Sequence, residues 1–235
     1  MAFYDHFFSH PGSVPGLWIV RRQNENLFSS VRAHLPESPV RLLEIGVGKG
    51  DFAVICRHHG IEYHGIEPNI GQAEKLKGDG FAITSTLVPP VPFETHAFDV
   101  VYCAHLLEHM ESLTRVQQLV VEVGRVLEPR GLFALVSPNF NDWRREFYDD
   151  YTHSYPTTPR RVSQLFSNNG FEILQIVLFN AFFFGKARLL VKYLNRLYPW
   201  QFFDTCLGRF FHKDFFFNIK PTFNENFLII GRKLD

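Results

Sequence analysis

With 235 residues, 46% of them apolar and 20% charged, the chain is expected to form one domain of moderate size with a substantial buried core; this composition excludes disorder as its main state. Lysine plus arginine balances aspartate plus glutamate, 24 against 24, so the chain as a whole has no field that would draw it to nucleic acid. Cys56, Cys103 and Cys206 are few and far apart, Asp5, His6 and His10 interrupt the amino-terminal stretch, and no apolar run reaches about 18 residues. The expectation is a reduced, cytoplasmic chain without a disulfide framework, a zinc site built on cysteines, an export signal or a membrane span.

In chain order, the first strand is expected over Val40 to Ile45 and the first helix over Lys49 to His59. A second strand over Ile61 to Ile66 lies between Gly60 and Glu67-Pro68, and a short helix over Gln72 to Lys77 follows. Phe81 to Thr84 is the third strand, and Phe98 to Ala104, rich in aromatic and β-branched residues, is the fourth. Leu113, Val116, Leu119, Val120, Val123 and Val126 mark a helix over Ser112 to Leu127, after which Pro129-Arg130-Gly131 turns into a strand at Leu132 to Val136. A polar, aromatic loop to about Thr158, a helix over Pro159 to Asn168, a strand over Phe171 to Leu178 and a last strand over Phe227 to Gly231 complete the pattern. Alternating strands and helices imply parallel strands with helical crossovers, an α/β layered domain.

The chemistry-bearing stretch is Leu42-Leu43-Glu44-Ile45-Gly46-Val47-Gly48-Lys49-Gly50, closed by Glu67-Pro68-Asn69 after the second strand. Glycines in alternation at a strand end let the backbone turn sharply and leave room for a flat ligand. Glu67 stands where an acid accepts hydrogen bonds from a ribose diol in nucleoside-binding α/β folds, so an adenosine-containing cofactor is implied. A dinucleotide fingerprint needs its third glycine three residues after the second. Here Gly50 follows Gly48 by two, and the acid Glu44 ahead of the loop suits a cationic ligand better than a pyrophosphate.

These residues resemble the class I S-adenosylmethionine-dependent methyltransferases in their small-molecule branch. The resemblance extends through Phe98-Asp99-Val100-Val101, Leu106-Leu107-Glu108-His109 and Arg125-Val126-Leu127-Glu128-Pro129-Arg130-Gly131, and covers roughly Val40 to Leu178. It implies a doubly wound, seven-stranded Rossmann-like sheet whose last strand inserts antiparallel beside the fifth. It also implies S-adenosyl-L-methionine as cofactor, held by Glu44, Gly46, Gly48, Gly50, Glu67, Pro68, Ser85, Thr86 and Cys103. The acid this family often carries after its third strand is missing near Thr86-Leu87, which leaves adenine to backbone groups, Ser85 or Thr86.

Methyl transfer is an in-line displacement dominated by positioning, and a hydroxyl acceptor also needs a base. His105, just after the fourth strand, and His153, in the loop after the fifth, are the candidate catalytic bases; His109 is read as bonding the neighbouring loop. No metal is expected, although Asp149, Asp150 and His153 together hold the ligand types for one. Residues 1–38 form a helical amino-terminal extension, with Tyr4, Phe7, Phe8, Trp18 and Arg21 as a candidate lid. Residues 39–179 with 223–235 form the cofactor-binding core, and 180–222 a Phe-rich helical insert with seven basic residues against two acidic ones. In that insert Leu189, Leu190, Tyr193, Leu194 and Leu197 alternate with Lys186, Arg188, Lys192 and Arg196, the pattern of a basic amphipathic helix. Its apolar face packs on the core or a second subunit, or the insert caps the acceptor site or meets a lipid surface or lipid-linked acceptor. The expected reaction is O-methylation of a sugar or natural-product hydroxyl. The rivals are methylation of a lipid-linked or isoprenoid acceptor, a nicotinamide-dependent oxidoreductase and a non-catalytic partner subunit. Nucleic acid is not expected as acceptor, because the fourth strand lacks the Asn/Asp-Pro-Pro-aromatic run that holds a flipped base.

Overall fold

The structure, a computed structural model, describes residues 14–35, 40–184, 186, 188–197 and 223–235. Its strands are β1 (Arg41–Ile45), β2 (Glu62–Ile66), β3 (Ala82–Thr84), β4 (Phe98–Ala104), β5 (Leu127–Pro138), β6 (Phe171–Phe179) and β7 (Asn226–Lys233). They form one sheet in the order β3-β2-β1-β4-β5-β7-β6. The first five are parallel, and β7 runs antiparallel to both β5 and β6. This is the doubly wound seven-stranded sheet expected from the sequence, with the last strand inserted beside the fifth.

The helices are α1 (Val14–Arg32), α2 (Asp51–His58), α3 (Ile70–Gly78), α4 (Leu113–Val126), α5 (Phe140–Trp143), α6 (Pro159–Asn168) and α7 (Arg188–Leu197). Strand alternation sends Leu42, Val100 and Tyr102 into a core shared with α1, α2 and α3. It sends Leu43, Ile45, Val101 and Cys103 into a second core under α4 and α6. Strands covered on both faces read as near-continuous apolar runs, which is why β4 was conspicuous in the sequence. The helix starts follow local chemistry. The Ser112 hydroxyl accepts from the Arg115 N–H (3.3 Å), Thr158 does the same for Arg161 (3.1 Å) ahead of Pro159, and the Asn69 side chain accepts from the Gln72 N–H (2.9 Å).

Two elements differ from expectation. β5 begins at Leu127 rather than Leu132, because Leu127 already pairs with Phe98 and the turn residues are absorbed as an irregularity in the β4–β5 register. The described part of the amino-terminal extension is a layer of the domain, since Leu27, Phe28 and Val31 are buried and the Phe28 ring stacks on that of His59 at 4.4 Å. Trp18 at its outer end is exposed, whereas Tyr4, Phe7 and Phe8 lie outside the described residues.

Candidate active site

The carboxyl ends of β1, β2, β4 and β5 meet along one edge of the sheet, where ligands bind in open α/β folds. The loop after β1 is fastened to the end of β2. Gly46 and Val47 N–H groups donate to the Ile66 carbonyl (2.9 and 3.3 Å), the Gly48 N–H donates to Glu67 Oε2 (2.9 Å), and Gln72 Nε2 donates to the Gly48 carbonyl (2.8 Å). All three glycines have positive φ, but for different reasons. A Cβ on Gly46 or Gly48 would meet nothing within 4 Å, so these two border open space. A Cβ on Gly50 would stand 2.6 Å from Leu76 Cδ2, which makes Gly50 a packing glycine that lets α3 approach the loop.

Glu67 is buried and bivalent, its Oε1 accepting from the Asn69 N–H (2.9 Å) while Oε2 holds Gly48. Burial raises its pKa, and the two backbone N–H groups oppose that rise. Pro68 and Thr86 are half-buried, and Ser85 is exposed. Cys103 has no accessible side chain and sits in the core under α4, so only its backbone reaches the edge.

Glu44 corrects the sequence reading of a charged partner. Its side chain lies buried between the sheet and the amino-terminal helices, where the Tyr63 hydroxyl donates to Oε2 at 2.5 Å. Burial pushes its carboxyl up to about 8, against the pull of the Tyr63 hydrogen bond, so it carries a proton near neutral pH. The folded chain then holds a proton that the unfolded chain releases above its ordinary value of 4.5. Stability contributed by this group is present below that value and is lost as pH rises toward 8, with a slope of about 1.4 kcal/mol per pH unit. Glu44→Gln keeps an acceptor for Tyr63 and is expected to remove that slope. Urea unfolding at pH 5, 6.5 and 8 checks it, and parallel profiles for variant and wild type would contradict the assignment.

His105 follows β4 with φ 54°, a left-handed conformation that non-glycine residues keep where the surroundings over-determine it. Its N–H donates to the Val136 carbonyl (3.0 Å), and its half-exposed ring (48%) places Nδ1 3.0 Å from Oε1 of Glu108. Glu108 is 1% exposed, and its Oε2 accepts from the Ser137 hydroxyl at 2.9 Å. Burial pushes the Glu108 carboxyl up, but the His105 hydrogen bond and the nearby His105 and His109 rings outweigh it, and its pKa lies below the usual range.

His153, the other candidate base, is nearly buried in the loop after β5. Its side chain is 10% exposed, its Nδ1 donates to the Phe147 carbonyl (2.7 Å), and its ring lies 4.6 Å from that of Phe147. These contacts anchor the loop. His109 also binds the loop as expected, through Nδ1 and the Thr152 hydroxyl at 2.8 Å, and that hydroxyl donates to Asp150. Glu108, His109 and His153 bring potential ligand atoms within 4.8 Å of one another, a different set from Asp149, Asp150 and His153.

The insert helix α7 turns two of its cations toward the protein. Arg188 Nε meets Glu225 Oε2 at 2.7 Å, and Lys192 Nζ meets Asp142 Oδ1 at 3.1 Å, so these two cations point inward against nearly buried carboxylates. Leu190, Tyr193 and Leu197 face outward with 67, 59 and 80% exposure. Arg188 and Lys192 thus face the protein while Lys186 is exposed, and the outward Leu190, Tyr193 and Leu197 are not packed on the core. Asp142 follows β5 and Glu225 precedes β7, so the ion pairs hold α7 at the same edge as the glycine loop. Sequence reasoning missed Tyr63, Ser137, Asp142 and Glu225. The one available signal was the polar run Asn224-Glu225-Asn226 ahead of an apolar strand, all three of which are buried.

A family model described as a methyltransferase domain matches residues 20–176. The chain belongs to this methyltransferase family. An uncharacterized methyltransferase of Mycobacterium avium (strain 104) is 33% identical over 98 residues, 40% of this chain and 38% of that relative's length. The match thus spans well under half of the curated relative. A solved S-adenosylmethionine-dependent methyltransferase from Archaeoglobus fulgidus has a TM-score of 0.60 at 20% identity, covering 89% of this chain and 94% of its own. Another from Methanosarcina mazei has a TM-score of 0.63 at 15% identity, covering 87% and 97%. At such identities the structures speak for the fold alone.

Proposed function

We propose that this S-adenosylmethionine-dependent methyltransferase acts on a small-molecule acceptor, methylating an oxygen of a sugar or natural-product hydroxyl with His105 as general base. The observation that carries the reading is the half-exposed His105 ring at the end of β4, with its Nδ1 engaged by Glu108 and its Nε2 bonded to no described residue. β4 pairs with β1 through Cys103 and Ile45, so His105 leaves the sheet directly beside the glycine loop.

The residues fit the cofactor. Open space at Gly46 and Gly48, which a Cβ would enter, is what a ligand lying on the loop requires, and Glu67 stands at the end of β2 where a ribose would be bonded. Gly46, Gly48, Glu67, Pro68, Ser85 and Thr86 would hold S-adenosylmethionine, with Gly50 and the buried Cys103 shaping the site from behind. When bound, the cofactor supplies an electrophilic methyl group on a sulfonium. The chain's own part is to hold the acceptor oxygen about 3 Å from that carbon and to accept its proton.

A lipid-linked acceptor is the second reading, favoured by the outward Leu190, Tyr193 and Leu197 on the rim of the site edge. Among the described residues no helix is long and apolar enough to cross a membrane, so such an acceptor would be met at a surface. Transfer of labelled methyl from the cofactor into host extracts, separated into aqueous and organic-soluble fractions, tests both. Label in an alkali-stable aqueous ether supports the first reading, label in the organic fraction supports the second, and no transfer to any extract contradicts both.

A further inference from the structure

We infer that Glu108 is the positioning residue of the reaction: it fixes the His105 ring with Nε2 toward the acceptor and stabilises the positive charge that arrives on that ring. The inference rests on His105 acting as the base. A carboxylate accepts hydrogen bonds only, so the 3.0 Å contact to Oε1 puts the proton of neutral His105 on Nδ1 and leaves the lone pair on Nε2. That tautomer is the one a base facing the cleft needs, and among the described residues no other hydrogen bond to the ring sets it.

Glu108 is in turn held from several sides. Its Oε2 accepts from the Ser137 hydroxyl, which lies 2.9 Å from the Thr157 hydroxyl, and Thr157 donates to the Pro138 carbonyl at 2.7 Å. Its backbone carbonyl accepts from the Ser154 and Tyr155 N–H groups (2.8 and 3.1 Å). One residue thus joins the end of β4, the end of β5 and the loop that carries His153. Pure packing would not require a carboxylate there, since a buried charge without a fixed partner is strongly unfavourable.

The charge balance explains the choice. As the new C–O bond forms, the C–S bond breaks with its electron pair going to sulfur, and the acceptor proton passes to His105 Nε2. The positive charge lost at sulfur reappears on the imidazole, against a carboxylate shielded from water, where the attraction is far stronger than in solvent. Glu108 therefore acts on the transition state through His105 and touches no reacting atom.

The test has two arms. Long-range 1H–15N spectra of histidine-labelled protein, with His105→Gln used for assignment, are expected to show His105 as the Nδ1–H tautomer. In Glu108→Ala the signal is expected to move to the Nε2–H form that neutral imidazole prefers when unconstrained. S-adenosylhomocysteine binding at wild-type strength certifies that the variant is folded, and Glu108→Leu, which fills more of the volume without an acceptor, replaces it in the spectra if it is not. The second arm uses an acceptor found in the extract screen: Glu108→Gln is expected to lower kcat at least about tenfold with KM nearly unchanged. An Nε2–H tautomer in the wild-type protein, or full kcat in Glu108→Gln, overturns the inference. Full turnover in His105→Ala would instead overturn the base assignment on which it rests.

Discussion

Gly48→Val is expected to reduce S-adenosylmethionine and S-adenosylhomocysteine binding by more than about a hundredfold. Two effects act together. Gly48 has φ +59°, where a β-branched residue is a genuine outlier with strain of order 1–3 kcal/mol. Its missing Cβ also faces open space rather than protein, so any side chain there enters the volume above the loop. Gly48→Ala separates the two: it carries less strain but places the same Cβ, and it should still weaken binding at least tenfold if a ligand occupies that volume. Glu67→Ala is expected to weaken binding by about 1–3 kcal/mol, and the loss has a local component because Glu67 also ties down the Gly48 N–H. Calorimetry with wild-type strength in both glycine variants would show that the cofactor does not lie on this loop.

The contrast with Gly50 shows what the sequence could and could not convey. All three glycines looked alike as a string, yet one serves packing against Leu76 and two border the cleft, a distinction that depends on where α3 lies. Strand order and the cofactor loop were legible because they are written locally, in apolar runs, glycine spacing and helix caps. Glu44 was misread because its surroundings come from β2. The pattern of an acid before glycines is local, whereas the Tyr63 hydroxyl and the burial that keep it protonated are supplied nineteen residues later. The seating of α7 was not legible for the same reason in a stronger form. Its apolar and basic stripes were read correctly, but which stripe faces inward depends on Asp142 and Glu225, which lie in separate segments and form a nearly buried acidic seat. Ordinary amphipathic reasoning assumes that the apolar side alone is seated, whereas here a seat of carboxylates holds the helix through Arg188 and Lys192. The two histidines offered as bases were equivalent on sequence grounds. They separate on exposure, 48% against 10%, and on what holds Nδ1, a carboxylate for His105 and a backbone carbonyl for His153.

That separation makes the two histidine variants the most informative pair. His105→Ala is expected to lower turnover by about 10²–10⁴ while cofactor affinity stays within a few-fold of wild type, because the ring is bonded to Glu108 and takes no part in the hydrogen bonds that hold the glycine loop and Glu67. The loss should also depend on the acceptor: a hydroxyl with an ordinary high pKa needs its proton removed as the bond forms, whereas an acceptor already ionised needs only positioning. An activated, acidic hydroxyl analogue should therefore recover much of the lost rate in His105→Ala. Such recovery would not follow if the ring merely shaped the cleft. His153→Ala should behave otherwise. Removing its bond to the Phe147 carbonyl and its contact with the His109 ring loosens the loop, so the expected effect is lower thermal stability and a raised KM, with no rescue by the acidic analogue. Steady-state kinetics of both variants on both acceptors distinguish the roles. A rate loss in His153→Ala that the acidic analogue restores, with His105→Ala near wild type, would transfer the base to His153 and require its loop to swing the ring out toward the cleft.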